Sequence, residues 1–194
     1  MLHKTKDAPQ ATPERRGNKS KEKLAERVRR RPVLRLCTIA MLIAVGLMLA
    51  FVESRIPTFV PVPGVKIGLA NVATLFALYA LGIGDAAAVS LCRVLLSSLL
   101  FGSPLSFFYS LAGAAVSLVV MWGLAHLRRF SPIGVSAAGG VAHNLGQIGA
   151  AALVMRTGAV AVYLPPLLLS GTVAGLVIGI AAGLLLTRLC LFRF

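Results

Sequence analysis

Residues 53–71 read Glu53-Ser-Arg-Ile-Pro-Thr-Phe-Val-Pro-Val-Pro-Gly-Val-Lys-Ile-Gly-Leu-Ala-Asn71 and separate two long apolar runs of the chain. Three prolines fix φ and lack an N–H, so this segment cannot form the interior of a helix. A Pro-Gly pair within it indicates a turn, and the charged residues Glu53, Arg55 and Lys66 flank it. Asn71 lies about one turn into the next apolar run. The pattern predicts a stiff connection between two hydrophobic helices, which is either an ordinary loop with anchoring charges or part of a site for a polar ligand.

The composition is that of a polytopic membrane protein. Of the 194 residues, 57% are hydrophobic and only 13% are charged, and the mean hydropathy is +0.85. A soluble domain carries roughly 25% charged residues. We therefore expect an all-α fold, a membrane bundle of six transmembrane helices within residues 33–194. Each helix needs about 20 apolar residues, and the segments that reach or approach this length are 33–52, 67–83, 86–101, 105–127, 133–155 and 164–187.

The first 32 residues form a basic tail, which holds eleven of the twenty Lys and Arg residues. It is also rich in Pro, Gly, Ser and Asn, so we expect it to be disordered. A basic tail binds nucleic acid or, ahead of a membrane helix, keeps the N-terminus inside and contacts anionic lipid. We favour the second interpretation, with membrane lipid and not nucleic acid as the partner. The other basic residues then predict that both termini are cytoplasmic and that the 53–66 connection faces outside.

Polar side chains within the apolar segments are candidates for a binding site, because they are costly at membrane depth. Arg93 lies near the middle of the third segment, and Asn71 enters the second. His143, Asn144 and Gln147 lie in the fifth. Together they could line one polar cavity below the proline-rich connection, where Arg93 would favour an anionic or strongly hydrogen-bonding ligand. The alternative is that all of them make interhelical hydrogen bonds in a purely structural bundle.

Small residues predict how the helices pack. The sixth segment carries four glycines at i, i+4 spacing, a pattern that lets two backbones approach closely in lipid. We expect this stripe to pack inside the bundle rather than against a partner protein. The first segment holds an Ala-x-x-x-Ala pair, Ala40 and Ala44. The glycines of the stripe are Gly171, Gly175, Gly179 and Gly183.

Several classes of chemistry lack their motifs in this sequence. There is no Gly-x-x-x-x-Gly-Lys-Ser/Thr loop for ATP, and no two carboxylates are spaced to hold Mg²⁺ on a diphosphate. No carboxylate falls in mid-span, where proton-coupled transport usually needs one. The three cysteines form no Cys-x-x-Cys pair. We therefore expect no enzyme activity, no catalytic residue, no metal and no cofactor in this chain.

Two segments resemble a known family. Pro63-Gly-Val-Lys-Ile-Gly-Leu-Ala-Asn71 ahead of an apolar helix, together with Gly140-Val-Ala-His-Asn-Leu-Gly-Gln147, resembles the bacterial Gx transporter family. That family is also named heptaprenyl diphosphate synthase component I, and the resemblance covers about residues 35–190. In size and in its six-span layout the chain is similar to the substrate-binding S components of energy-coupling factor (ECF) transporters.

This resemblance implies that the chain captures a small molecule outside the bacterial cell membrane for uptake driven by a separate ECF-type ATPase. A transmembrane coupling subunit would dock on Ala40 and Ala44, and residues 57–66 would form a lid. No vitamin-specific motif is recognisable, so the substrate stays open. The implied ligand contacts are His143, Asn144 and Gln147, to which the charge and polarity pattern adds Lys66, Asn71 and Arg93.

The family's other name implies a different role. The chain would then be an accessory membrane subunit of heptaprenyl diphosphate or isoprenoid-quinone synthesis, and it would hand a prenyl chain to a soluble catalytic partner. A third possibility is a plain scaffold whose polar residues are all structural. The partner proteins that co-purify with the chain distinguish these roles.

Overall fold

A computed structural model of the chain describes residues 31–55, 68–127 and 129–189. The prediction of an all-α bundle of six helices is confirmed, and the described residues contain no strand. Most of the basic tail, and the predicted lid at 57–66, lie outside these ranges. The helices are α1 (Pro32–Arg55), α2 (Asn71–Ala80), α3 (Ile83–Phe101), α4 (Pro104–His126), α5 (Pro132–Met155), the 3₁₀ helix Gly158–Tyr163 and α6 (Leu164–Leu189).

Four of the helices, α1, α3, α4 and α6, are long and apolar enough to cross a membrane by length and composition. Helix α5 is as long as α1, with 24 residues, but its composition does not place it among these four. It carries the polar residues His143, Asn144 and Gln147, and it packs between α4 and α6. The chain is thus a membrane protein in which the most polar of the long helices is shielded by two apolar ones.

Serine and proline start two of the helices. Ser103 and Ser131 cap α4 and α5, and each hydroxyl accepts a hydrogen bond from the backbone N–H three residues later, at 3.2 Å in both cases. A proline follows in the first turn of each helix, where its missing N–H has no cost. The connections before α4 and before α5 are short, which makes consecutive helices antiparallel neighbours.

Helices α1 and α3 run side by side in the same direction. At one end the Arg35 guanidinium pairs with the Asp85 carboxylate through two contacts, Nε to Oδ2 at 2.9 Å and an NH2 group to Oδ1 at 2.5 Å. At the other end the rings of Phe51 and Phe101 are 5.1 Å apart. We call these two ends of the bundle the Asp85 end and the Glu53 end.

The glycine stripe of α6 packs inside the bundle, as predicted. A Cβ atom added at Gly175 would come within 2.7 Å of the Ala137 backbone, and one at Gly179 within 2.7 Å of the Ile133 backbone. Gly171 approaches Gly140 in the same way. A Cβ at Gly183 would meet nothing within 4 Å, so the close contact ends before the fourth glycine.

Helix α2 is much shorter than the second predicted span, 67–83. Its ten residues cover about 15 Å, half of the roughly 30 Å hydrocarbon core. Gly68 and Gly82, with φ of 93° and 111°, bound it, because positive φ favours glycine and ends the regular helix. Nine of its ten residues are buried, and it packs against α1, α3, α4 and α6. Since α2 ends just before α3 begins, it fills the bundle axis on the Asp85 side, and its N-terminus lies inside the protein.

Candidate functional site

Polar groups meet where the N-terminus of α2 lies inside the bundle. Asn71 begins α2, Arg93 comes from α3, and His143 and Gln147 come from α5; none of the four is more than 6% exposed. Helices α2, α3 and α5 therefore direct polar side chains to one region of a membrane protein. We define this polar cluster as Glu53, Gly68, Asn71, Arg93, His143 and Gln147.

Arg93 lies near the middle of α3, eight residues or about 12 Å from Asp85. Its aliphatic stem passes close to α1, because a Cβ at Gly46 would lie 2.8 Å from the Arg93 Cδ. One guanidinium NH2 group donates a hydrogen bond to Asn71 Oδ1 at 3.2 Å. Arg93 Nε and Asn71 Nδ2 find no hydrogen-bond partner among the described residues. A buried donor without a partner is costly, so these two donors are available to a ligand.

Glu53 completes the cluster, although the sequence pattern did not select it as a contact. Helix α1 continues to Arg55 instead of ending before Glu53, and this turns the Glu53 side chain inward, where it is 3% exposed. Its Oε1 accepts a hydrogen bond from the Gly68 N–H at 2.5 Å, and its charge opposes that of Arg93. A usable signal was present: Leu42, Gly46, Ala50 and Glu53 share one face of α1.

Gly68 and Gly113 lie on two sides of the His143 imidazole. A Cβ at Gly68 would be 3.2 Å from His143 Cδ2 and 3.4 Å from Asn71 Nδ2. A Cβ at Gly113 of α4 would be 3.0 Å from His143 Cε1 and 2.8 Å from Gln147 Cγ. The two Nε2 atoms of His143 and Gln147 are 3.1 Å apart, one turn along α5. The ring is thus held between two backbones and a neighbouring amide.

The structure places Asn144 elsewhere. Its Nδ2 donates to the Leu167 carbonyl of α6 at 2.5 Å, and Gly171 makes room for the amide, because a Cβ there would come within 2.5 Å of Nδ2. Successive residues of a helix point about 100° apart, so Asn144 faces α6 while His143 faces Gly68 and α4. Of the predicted contacts, Asn71, Arg93, His143 and Gln147 come together, Asn144 does not, and Lys66 lies outside the described residues.

The predicted docking pair faces away from the bundle. Ala40 and Ala44 are exposed on α1, and each lies about 160° around the helix from the buried Leu42. Their small side chains leave the α1 backbone open to close approach by a partner helix in lipid.

The polar cluster offers hydrogen bonds and a balanced pair of charges. It contains one guanidinium, one carboxylate, one imidazole, two side-chain amides and the N-terminal end of α2. Among the described residues, no group of three or more His, Cys, Asp or Glu side chains could hold a metal ion. This arrangement can recognise a small polar group by directed hydrogen bonds.

A family model described as heptaprenyl diphosphate synthase component I matches residues 42–185. The match includes every residue of the polar cluster and all of α2 to α5, and it includes Ala44 but not Ala40. No curated protein and no solved structure matches the chain.

Proposed function

Because the chain belongs to the heptaprenyl diphosphate synthase component I family, we propose that it is a membrane subunit that binds a small molecule, acting as the substrate-binding S component of an ECF-type transporter. The family's description names a component, and so implies a complex with other subunits. The observation that carries the proposal is the polar cluster, in which Arg93 Nε and Asn71 Nδ2 are buried donors with no partner in the described part of the chain.

Membrane physics supports a binding role for this cluster. An ionised side chain inside a bilayer is expensive, and such residues usually mark a ligand or ion pathway. A purely structural cluster would satisfy its donors within the protein. Helix α2 also begins inside the protein, at Asn71 near Arg93, and a helix N-terminus at membrane depth favours a polar ligand. Its first two N–H groups donate to the Gly68 and Leu69 carbonyls.

In this proposal the ligand enters at the Glu53 end, which faces outside, and both chain termini are cytoplasmic. Among the described residues, Arg55 and Arg156 lie at the Glu53 end, while Arg35 and Arg129 lie at the other, as the positive-inside rule favours. The chain itself has no catalytic role. Energy comes from a separate ATPase, and a coupling subunit contacts Ala40 and Ala44.

A second candidate function is suggested by the family's description itself. The chain would be an accessory membrane subunit of heptaprenyl diphosphate synthesis and would hold a prenyl substrate for a soluble enzyme. Such a role requires the protein to bind a diphosphate. Among the described residues, the cluster has one cation, Arg93, and the charge of Glu53 already opposes it.

Purification of the tagged full-length protein from its native membrane in mild detergent separates the two functions. Mass spectrometry then identifies the proteins and small molecules that remain bound. An ATPase and a membrane coupling subunit support the transporter proposal. A soluble prenyltransferase without an ATPase overturns it in favour of the second function.

Variants connect the polar cluster to ligand binding. His143→Ala and Gln147→Ala should each reduce the retained small molecule by at least tenfold while the protein still purifies as a folded species. Leu145→Ala is the matched control, because Leu145 is on the same helix and 46% exposed. Equal retention by wild type and by both cluster variants would refute a binding role for α5.

A further inference from the structure

We infer that Glu53 makes the polar cluster a charge-balanced site, and that the group it recognises is an uncharged hydrogen-bond acceptor, such as a carbonyl or an aromatic ring nitrogen, rather than a carboxylate or phosphate. This inference rests on the proposed binding function and names the class of its substrate.

The first step is the charge of the cluster without a ligand. Arg93 is 6% exposed and Glu53 is 3% exposed. Glu53 Oε1 accepts from the Gly68 N–H, a Cβ at Gly68 would lie 3.4 Å from Asn71 Nδ2, and Asn71 Oδ1 accepts from Arg93, so the carboxylate and the guanidinium lie in one buried region. Asp85, the other buried carboxylate of the described residues, lies at the Asp85 end of the bundle and pairs with Arg35. Arg55 is exposed and lies over the Phe51 ring, 5.0 Å from its centroid. The described cluster therefore contains one positive and one negative charge.

The second step is the hydrogen-bonding capacity that remains. Asn71 Oδ1 already accepts from Arg93, and Glu53 Oε1 already accepts from Gly68. On Arg93 and Asn71, the buried atoms that lack a partner are Arg93 Nε and Asn71 Nδ2, and both are donors. A ligand that satisfies these two atoms must therefore supply acceptors.

The third step is the effect of a further negative charge. Among the described residues the cluster holds one guanidinium, which a bound carboxylate or phosphate would share with Glu53 in a region of low dielectric, where an unbalanced charge is strongly unfavourable. Glu53 cannot swing away at no cost, because it holds the N–H of Gly68, whose backbone packs against His143 and Asn71. An uncharged acceptor satisfies both donors and leaves the pair of charges intact.

The experiment compares wild type, Arg93→Lys and Glu53→Gln, each purified as the full chain from native membranes. Small molecules retained by each protein are extracted, identified and quantified by mass spectrometry, and thermal stability is measured in detergent. Arg93→Lys keeps the positive charge but removes the Nε donor, so we expect a loss of retained ligand of at least tenfold. Glu53→Gln leaves Arg93 unbalanced, so we expect a lower Tm and no gain in retained ligand. Leu145→Ala is again the control.

The outcomes are distinct. An uncharged ligand that carries carbonyl or ring-nitrogen acceptors and is lost in Arg93→Lys supports the inference. A ligand with a carboxylate or phosphate, retained by Arg93→Lys or enriched in Glu53→Gln, overturns the inference and leaves the proposed function standing. If the wild type retains no small molecule, the proposed function and the inference fall together. If Glu53→Gln does not fold, the identity of the wild-type ligand and its retention by Arg93→Lys still test the inference.

Discussion

At the scale of single residues, the site depends on glycines as much as on polar side chains. Gly46 leaves space for the Arg93 stem, and Gly68 and Gly113 lie against the His143 ring. Each of these contacts brings a glycine backbone so close to the side chain that an added Cβ would lie 2.8 to 3.2 Å from it. The polar side chains keep their positions because the neighbouring backbones approach closely enough to confine them.

Replacement of Gly68 by Ala should destabilise the protein and weaken ligand retention. Its φ of 93° is unfavourable for any residue with a Cβ, at about 1–2 kcal/mol, and the new methyl would lie 3.2 Å from His143 Cδ2. We expect a lower Tm in detergent and less bound ligand. Gly84→Ala is the control, since a Cβ there meets nothing within 4 Å. An unchanged Gly68→Ala protein would show that this turn does not hold the imidazole.

Replacement of Asn144 by Ala should lower stability without a specific effect on the ligand. The change removes the buried hydrogen bond to the Leu167 carbonyl, which costs about 1–3 kcal/mol. The measurement is Tm in detergent together with retained ligand at a temperature where the variant is folded. A variant of normal Tm that loses its ligand would place Asn144 among the ligand contacts after all.

At the scale of elements, α5 has one set of packing contacts and one polar face. It packs on α6 through glycines and on α4 through Ser117, whose hydroxyl donates a hydrogen bond to the Gly139 carbonyl at 2.8 Å. The polar face carries His143 and Gln147 to the polar cluster. Close packing of α4, α5 and α6 is therefore what presents these two side chains at a defined depth.

The α5–α6 contact should be sensitive at Gly175 and tolerant at Gly183. A methyl group at Gly175 would lie 2.7 Å from Ala137 Cα and 2.7 Å from the Ser136 carbonyl oxygen, and a backbone cannot move aside as a flexible side chain does. We expect Gly175→Ala to cost about 1–3 kcal/mol and to lower Tm. Gly183→Ala, the matched variant in the same stripe, should leave Tm unchanged. Equal effects of the two substitutions would contradict the packing described here.

At the scale of the whole molecule, the bundle separates an inward binding region from an outward helix face. Helix α1 contributes to both. Its buried stripe carries Gly46 and Glu53 to the polar cluster, and its opposite side presents Ala40 and Ala44. A partner on the outer face would therefore contact the same helix that holds the counter-charge of Arg93.

If the proposed coupling subunit docks on this face, the double substitution Ala40→Leu with Ala44→Leu should break that complex and leave ligand retention unchanged. Bulky side chains keep a partner helix from close approach, but they face away from the polar cluster. Co-purification of partner proteins is the measurement. Ala87→Leu with Ala88→Leu is the control, since both alanines are exposed on α3. An intact complex in the Ala40/Ala44 variant would show that the docking face is elsewhere.

Much of the fold follows from local composition. Long apolar segments must become helices in lipid, because no water is present to satisfy the backbone, and six helices were countable from the runs alone. The length of α2 was not predictable in this way. The apolar pattern continues through residues 67–83, but the positive φ at Gly68 and Gly82 is set by how the chain turns between neighbouring helices.

The candidate site was predictable only in part. Polar residues are rare within the apolar runs, and this alone identifies His143, Gln147, Arg93 and Asn71. Glu53 lies at the end of a run, where a carboxylate is ordinarily solvated, and the helix face that it shares with Leu42, Gly46 and Ala50 is only a weak local signal that it is buried. Its burial depends on how far α1 continues and on the Gly68 N–H that meets it.

The sequence by itself determined that this is an all-α membrane protein and which polar residues its helices carry, because both follow from the composition of single segments. Only the tertiary structure decided that Asn144 faces α6 while His143 joins the cluster, that α2 begins inside the bundle, and that Glu53 balances Arg93. These features depend on contacts between helices distant in sequence, and the spacing along one helix does not specify which neighbour each face will meet.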